Sequence, residues 1–204
     1  MKLYYAPETI SIAVAITLNE AGIPFEPIRV DFPNGQQRTS QFLALNPKGR
    51  VPVLDTGTDI LTETGAILDY IGAIAPQANL IPSDPVRAAK MRAVMYYLAS
   101  TVHVNHAHKV RGARWATAQS SLDDMIAKVA ENMTENARQI DNNCLAGPYV
   151  LGDRISLADA YLYVVSTWLK GDNVDTGAFA KLTTFMDTMA ARPSVRAVVA
   201  QGML

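Results

Sequence analysis

The chain has 204 residues, of which 49% are apolar and 18% charged, so it can bury one large core or two small ones and is not disordered by composition. Its net charge of -1 offers no basic field for nucleic acid and no charge-based attraction to a membrane surface, and no run reaches the ~20 apolar residues of a membrane span. A single cysteine, Cys144, excludes an internal disulfide framework and fits a reducing compartment. The first residues, MKLYYAP, enter a strand-like run with no signal-peptide core, so the expected setting is the cytoplasm.

Residues 2–5 read as a short strand stopped at Ala6-Pro7. Residues 11–21 read as a helix, with Ile12, Ala15, Ile16 and Leu18 toward a core and Gly22 closing it. Residues 24–30 form a second strand. A polar loop over 31–39, containing Pro33-Asn34-Gly35, leads to a short helix at 40–45.

The stretch NPKGRVPVLDTGTDILTETGAI, residues 46–67, organises the N-terminal part of the chain. Pro52 cannot sit in a central ladder position, so it belongs at a strand start or a tight turn. A cis bond there would aim the Val51 N–H and C=O outward, where an extended peptide can pair with them. The apolar pairs Val53-Leu54 and Ile60-Leu61 flank Asp-Thr-Gly-Thr-Asp, a hairpin signal. Thr62 is an N-cap candidate for a helix presenting Ala66, Ile67, Tyr70, Ile71 and Ile74 on one face. Helix N-termini favour carboxylates, and Glu63 and Thr64 add an ammonium acceptor and a hydroxyl at the same spot. Such a place suits an amino-acid head group. The plain alternative is a hairpin under a helix with solvated polar residues.

Three prolines between 76 and 85 mark a linker, and beyond it the signals are helical. Asp84 before Pro85 is a good N-cap, and a long helix runs to about residue 115, with Ala89, Met91, Val94, Met95, Leu98 and Val102 apolar. A second amphipathic segment covers 121–142. Ser156 and Asp159 form a carboxylate variant of the capping box ahead of a helix that is apolar almost all round. Helices at about 179–191 and 194–200 complete the chain.

The match NPKG-x-VP-x-L followed by Thr-Glu resembles the glutathione site of the glutathione transferase family, and YVLGDRISLADAYLY resembles the buried helix of its C-terminal domains. The resemblance covers nearly the whole sequence. It implies an α/β thioredoxin-like N-terminal domain over 1–78, a linker at 79–83, and an all-α helical-bundle C-terminal domain over 84–204. It also implies a glutathione co-substrate, a small hydrophobic electrophile, a homodimer and a role in detoxification. Val51 would pair with the cysteinyl backbone of glutathione, Pro52 would be cis, Glu63 and Thr64 would hold the γ-glutamyl group, and Arg50 would reach a carboxylate. Gln36 or Arg38 would stand in for a family lysine, while Ser100 and Thr101 occupy positions the family uses across its dimer. Ser156 and Asp159 are read as structural.

The subgroup most resembled is the bacterial beta class, through MKLYYAP and Ser100-Thr101-Val102-His103. Its cysteine corresponds to Ile10, and this chain has none in the region. A thiolate needs a hydrogen-bond donor, and the turn after the first strand supplies two hydroxyls. Ser11 is the first choice as thiolate stabiliser and Thr9 the second; the alternative role for each is an N-cap. The chain's three histidines are His103, His106 and His108. His103 aligns with the beta-class histidine near the sulfur, His106 shares its helix face and could line the substrate side, and His108 points away. No metal site is expected, because a structural zinc wants four ligands. A serine hydrolase is not expected either, for want of a nucleophile elbow. Two other readings stay open: glutathione-dependent reduction of peroxides or disulfides, and a non-catalytic binder of the same fold.

Overall fold

The computed structural model describes all 204 residues. Two compact units make up the chain, residues 1–83 with 190–204, and residues 84–189.

The first unit is built on a four-stranded sheet in the order β2-β1-β3-β4. β1 (Lys2–Tyr5) pairs parallel with β2 (Glu26–Arg29) and antiparallel with β3 (Val53–Asp55), and β3 continues to β4 (Ile60–Thr62) through a hairpin. The parallel pair requires a crossover, supplied by α1 (Ser11–Glu20). Every residue of α1 from Ser11 to Leu18 is buried, a wholly embedded helix rather than an amphipathic one. Gly22, at φ +66°, takes the left-handed turn that ends it, and the Ile23 N–H bonds back to Leu18 C=O at 2.9 Å. β2 is shorter than the apolar run suggests, though Val30 N–H still reaches Tyr5 C=O at 2.7 Å.

α2 (Ser40–Leu45) starts at Thr39, whose hydroxyl accepts the Phe42 N–H at 3.3 Å. Phe42 packs with Val30 and Val53, and Tyr4, Phe32 and Val51 border this cluster. α3 (Thr64–Ile74) buries Thr64, Ile67, Leu68, Ile71 and Gly72. Ala66 and Ile74, expected on the core face, are exposed, because the buried stripe runs through Thr64, Ile67, Leu68 and Ile71 and the helix begins one residue later than an N-cap at Thr62 would set it. Thr62 is the last residue of β4, and the N-cap position falls on Glu63.

Residues 190–204, which sequence order attaches to the helical part, group with this first unit. α9 (Pro193–Ala200) packs on α1, and the Arg192 guanidinium clasps the Glu20 carboxylate through Nε and Nη2, both at 2.6 Å. The Ser194 hydroxyl also donates to Glu20. Met203 is fully buried, and its carbonyl accepts the Glu8 N–H at 2.9 Å.

The second unit is helical. α4 (Pro85–Tyr97) opens at Asp84, whose Oδ1 accepts the Arg87 N–H at 2.7 Å. The single long helix expected to residue 115 is instead interrupted: Leu98–Val102 wind as a π turn, α5 (His103–Arg111) follows, and Gly112–Arg114 close in a 3₁₀ turn. Ala88, Met91, Met95, Leu98 and Val102 form its buried stripe, with Ala88 rather than Ala89 inside. α6 (Gln119–Gln139) runs into a second π turn at Ile140–Cys144.

α7 (Leu157–Thr167) is buried from Leu157 to Ser166. Fully buried Asp159 anchors it: Oδ2 accepts the Ser156 N–H and hydroxyl, Oδ1 the Val150 N–H, each at 2.7 Å. The capping box is therefore structural, as the sequence suggests. α8 (Ala180–Ala190) completes the unit through Leu182, Phe185 and Met189. No helix is long and apolar enough to cross a membrane.

Candidate active site

The turn from Ala6 to Ser11 joins β1 to α1 and carries both candidate hydroxyls. Ser11 is fully buried, whereas Thr9 is half-buried. Their oxygens lie 2.6 Å apart. The Ala6 N–H donates to Ser11 Oγ at 3.2 Å, and Thr9 Oγ1 can donate to the Ala6 carbonyl at 2.8 Å. Neither side chain caps α1, whose N-cap position is Ile10. The hydroxyls instead knit the turn, and Glu8, at φ +59°, holds it in a left-handed bend that the Met203 carbonyl secures. Ile10, at the beta-class cysteine position, is 5% exposed and offers no polar group.

The second part of the site lies between α2 and β3. Buried Asn46 shapes the loop: its Nδ2 donates to Arg50 C=O at 2.7 Å, and its Oδ1 accepts the Lys48 N–H at 3.2 Å. Arg50 is exposed. The Val51–Pro52 peptide is cis, and the ladder begins at Val53, so the Val51 N–H and C=O stand outside it.

At the third part, Glu63 adopts φ +71°, an uncommon backbone for a non-glycine residue and one that clusters at functional sites. Its Oε1 meets Lys48 Nζ at 2.6 Å, and Lys48 also donates to Thr62 Oγ1 at 2.8 Å. Thr64, the first residue of α3, is buried. Lys48 is the residue that sequence reasoning passed over, although it lies inside the NPKG motif. Of the looser candidates, Gln36 is turned back, its Oε1 accepting the Asp31 N–H at 2.7 Å.

In the helical unit, His103 and His106 both meet the Trp168 indole. The His106 ring stacks on it at 4.4 Å and 19°, and the His103 ring approaches edge-on at 5.1 Å. His108 points elsewhere, against Trp115. His106 Nδ1 lies 2.6 Å from Oδ2 of buried Asp172. Trp168 and Asp172 were not foreseen, since nothing local in sequence links them to a helix about 60 positions earlier. Cys144, partly buried, has its thiol pKa raised by burial, opposite to what a reactive thiol needs.

Residues 1–73 match the model of the glutathione S-transferase N-terminal domain, and residues 115–193 that of its C-terminal domain. A glutathione transferase homolog from Sulfitobacter, solved with bound glutathione, is 58% identical, with a TM-score of 0.98 over 100% of this chain and 98% of that one. The chain belongs to the glutathione S-transferase family. It is a transferase of that family, with glutathione as co-substrate. Glutathione S-transferase GstA of Escherichia coli O157:H7 is 29% identical over the whole of both chains. A bacterial beta class glutathione S-transferase from Sphingomonas chungbukensis is 28% identical, with a TM-score of 0.86 and full coverage of both chains. The thioredoxin-like sheet and the helical C-terminal part expected from sequence are thus those of the family.

Proposed function

We propose that this transferase conjugates glutathione to small hydrophobic electrophiles and that Thr9, backed by Ser11, stabilises the thiolate. The observation that carries this is the 2.6 Å contact between a half-buried Thr9 hydroxyl and a fully buried Ser11 hydroxyl. Ser11 accepts the Ala6 N–H, so its own proton has two acceptors: Thr9 Oγ1 at 2.6 Å and the Ala6 carbonyl at 3.3 Å. With the proton on the shorter path, Thr9 accepts from Ser11 and turns its own proton from the Ala6 carbonyl toward the sulfur when glutathione binds. Thr9 thereby replaces Ser11 as the contacting group.

The tripeptide would lie along Val51, its N–H and C=O pairing with the cysteinyl residue as a strand does with a sheet edge. Glu63 and Thr64 would hold the γ-glutamyl head group, and Arg50 and Lys48 would supply positive charge for carboxylates. From the beta-class resemblance alone, we assign His103 to the reacting sulfur and His106 to the electrophile. A cytoplasmic homodimer with a detoxifying role is the setting we infer from the family. With isoleucine in place of the beta-class cysteine, no mixed disulfide with glutathione can form there, which favours conjugation over disulfide reduction.

The test replaces Thr9 and Ser11 by alanine, singly and together, and measures turnover beside glutathione affinity. Lost turnover with retained affinity supports the assignment. Unchanged turnover overturns it, and absence of turnover in the unmodified protein with tight binding favours a non-catalytic binder.

A further inference from the structure

Helix α9 is fastened at both ends, to α1 and to the turn before α1, and the second fastening falls on Glu8. At the first, Glu20, the last residue of α1, receives Arg192 and Ser194. At the second, α9 closes in a Schellman motif: Met203 N–H bonds to Val198 C=O at 3.0 Å and Gly202 N–H to Val199 C=O at 2.9 Å. Gly202 takes the left-handed position of that motif, at φ +65°. Val198 and Met203, the pair whose apolar contact accompanies such a motif, are both fully buried. The motif uses the Met203 N–H within the helix end and leaves the Met203 carbonyl to accept the Glu8 N–H at 2.9 Å.

Glu8 stands in the middle of the hydroxyl network. Ala6 supplies the N–H and C=O that hold Ser11 and Thr9, and Glu8 lies between Ala6 and Thr9 at φ +59°. A non-glycine residue keeps such a backbone only where its surroundings enforce it. A change of φ at Glu8 swings Thr9 relative to Ala6 and so re-aims the Thr9 hydroxyl. The Met203 carbonyl grips the turn at that residue from outside it. All of these residues lie in the unit formed by 1–83 with 190–204, which also holds Val51, Glu63 and Thr64.

We propose that Met203 is a positioning residue for the thiolate site: the turn after α9 holds Glu8 in its left-handed bend and thereby keeps the Thr9 hydroxyl in reach of the glutathione sulfur. This rests on the reading of Thr9 as thiolate stabiliser. Being fully buried, Met203 acts through Glu8 and not by contact with a ligand. Loosening the turn after α9 should therefore weaken thiolate stabilisation. Glutathione binding should change little, because Val51, Glu63 and Thr64 hold the tripeptide on that same reading.

Variants at the two ends of α9 separate positioning from packing. Full-length protein is compared with Met203→Ala, Met203→Leu, Gly202→Ala, Arg192→Ala and Thr9→Ala. The readouts are the thiolate absorbance of bound glutathione against pH, kcat and KM with chlorodinitrobenzene, and thermal melts. Gly202→Ala strains a positive φ where an added Cβ meets nothing within 4 Å, so it loosens the motif without a clash. Met203→Ala and Gly202→Ala should raise the pKa of the bound thiol toward that of Thr9→Ala. Their kcat should fall roughly tenfold, within the ~100-fold that a misplacement of about 1 Å can cost, while KM for glutathione changes little. Met203→Leu refills the buried site and should recover most of the rate. Arg192→Ala should melt lower than the parent yet keep its bound thiol pKa. Should Met203→Ala fail to fold, Gly202→Ala carries the test. A bound thiol pKa equal to the parent's in the folded Met203 and Gly202 variants, or a rise that Arg192→Ala shares, overturns the positioning role and leaves the Thr9 reading standing. A bound thiol pKa that Thr9→Ala itself does not move takes down both.

Discussion

The Thr9 and Ser11 hydroxyls share a 2.6 Å hydrogen bond, yet only Thr9 retains any exposure. Their alanine variants should consequently differ. On the proposed assignment, Thr9→Ala removes the donor to the sulfur and should lower kcat by about a hundredfold, the scale of one lost oxyanion donor. Glutathione affinity should change little. Thr9→Ser should restore most of the rate. Ser11→Ala instead strips the Ala6 N–H of its partner, at about 1–3 kcal/mol of stability. Steady-state kinetics beside thermal melts separate the two effects.

Glu63→Gln keeps the shape of the side chain and discards the charge offered to an ammonium. Hydrogen bonds to charged groups contribute about 1.5–3 kcal/mol, so glutathione should bind roughly 10–150-fold more weakly. The Lys48 partner is also lost, but that exposed ion pair contributes only about 0–1 kcal/mol to folding. Calorimetry should therefore register a large affinity loss while the melting temperature barely moves.

Asp159→Ala leaves the Val150 and Ser156 N–H groups without their acceptor inside the helical unit. Each orphaned donor costs about 1–3 kcal/mol. The combined loss should lower Tm by roughly 4–24 °C at the sensitivity expected of a chain this size. A melt within about one degree of the parent would contradict the anchoring role.

Much of this architecture could be read from local signals. Asp84-Pro85, Ser156 with Asp159, and the Asp-Thr-Gly-Thr-Asp turn each name their element within a few residues. The cis bond at Val51-Pro52 was legible because a motif carries it. The features that stayed hidden depend on partners far apart in the chain. Thr9 and Ser11 are equally polar in sequence, and only the buried α1 separates their exposure. His106 finds Asp172 across 66 positions, and Glu20 finds Arg192 across 172. The π turn at Leu98–Val102 leaves no compositional mark on an otherwise regular helical pattern.

The Glu20–Arg192 contact gives stability a pH dependence. Burial raises the Glu20 pKa, but hydrogen bonds from Arg192 and Ser194 and the charge of Arg192 outweigh it, so the pKa is lowered on balance. A carboxyl depressed in the folded state contributes stability above its unfolded pKa and loses it as pH falls through the folded one. Glu20→Gln should therefore be less stable than the parent at about pH 7. The gap should narrow on acidification below about pH 4.3, the unperturbed glutamate value. Melts from about pH 7 to about pH 3 check both the sign and the window.

Stabilisation of the glutathione thiolate by Thr9 is tested most directly by the thiolate absorbance of bound glutathione, titrated against pH in the parent and in Thr9→Ala. A bound thiol pKa well below that of free glutathione, restored toward the free value in Thr9→Ala, is the result expected. A bound pKa equal to the free one, or a depressed pKa unchanged in Thr9→Ala, would contradict it.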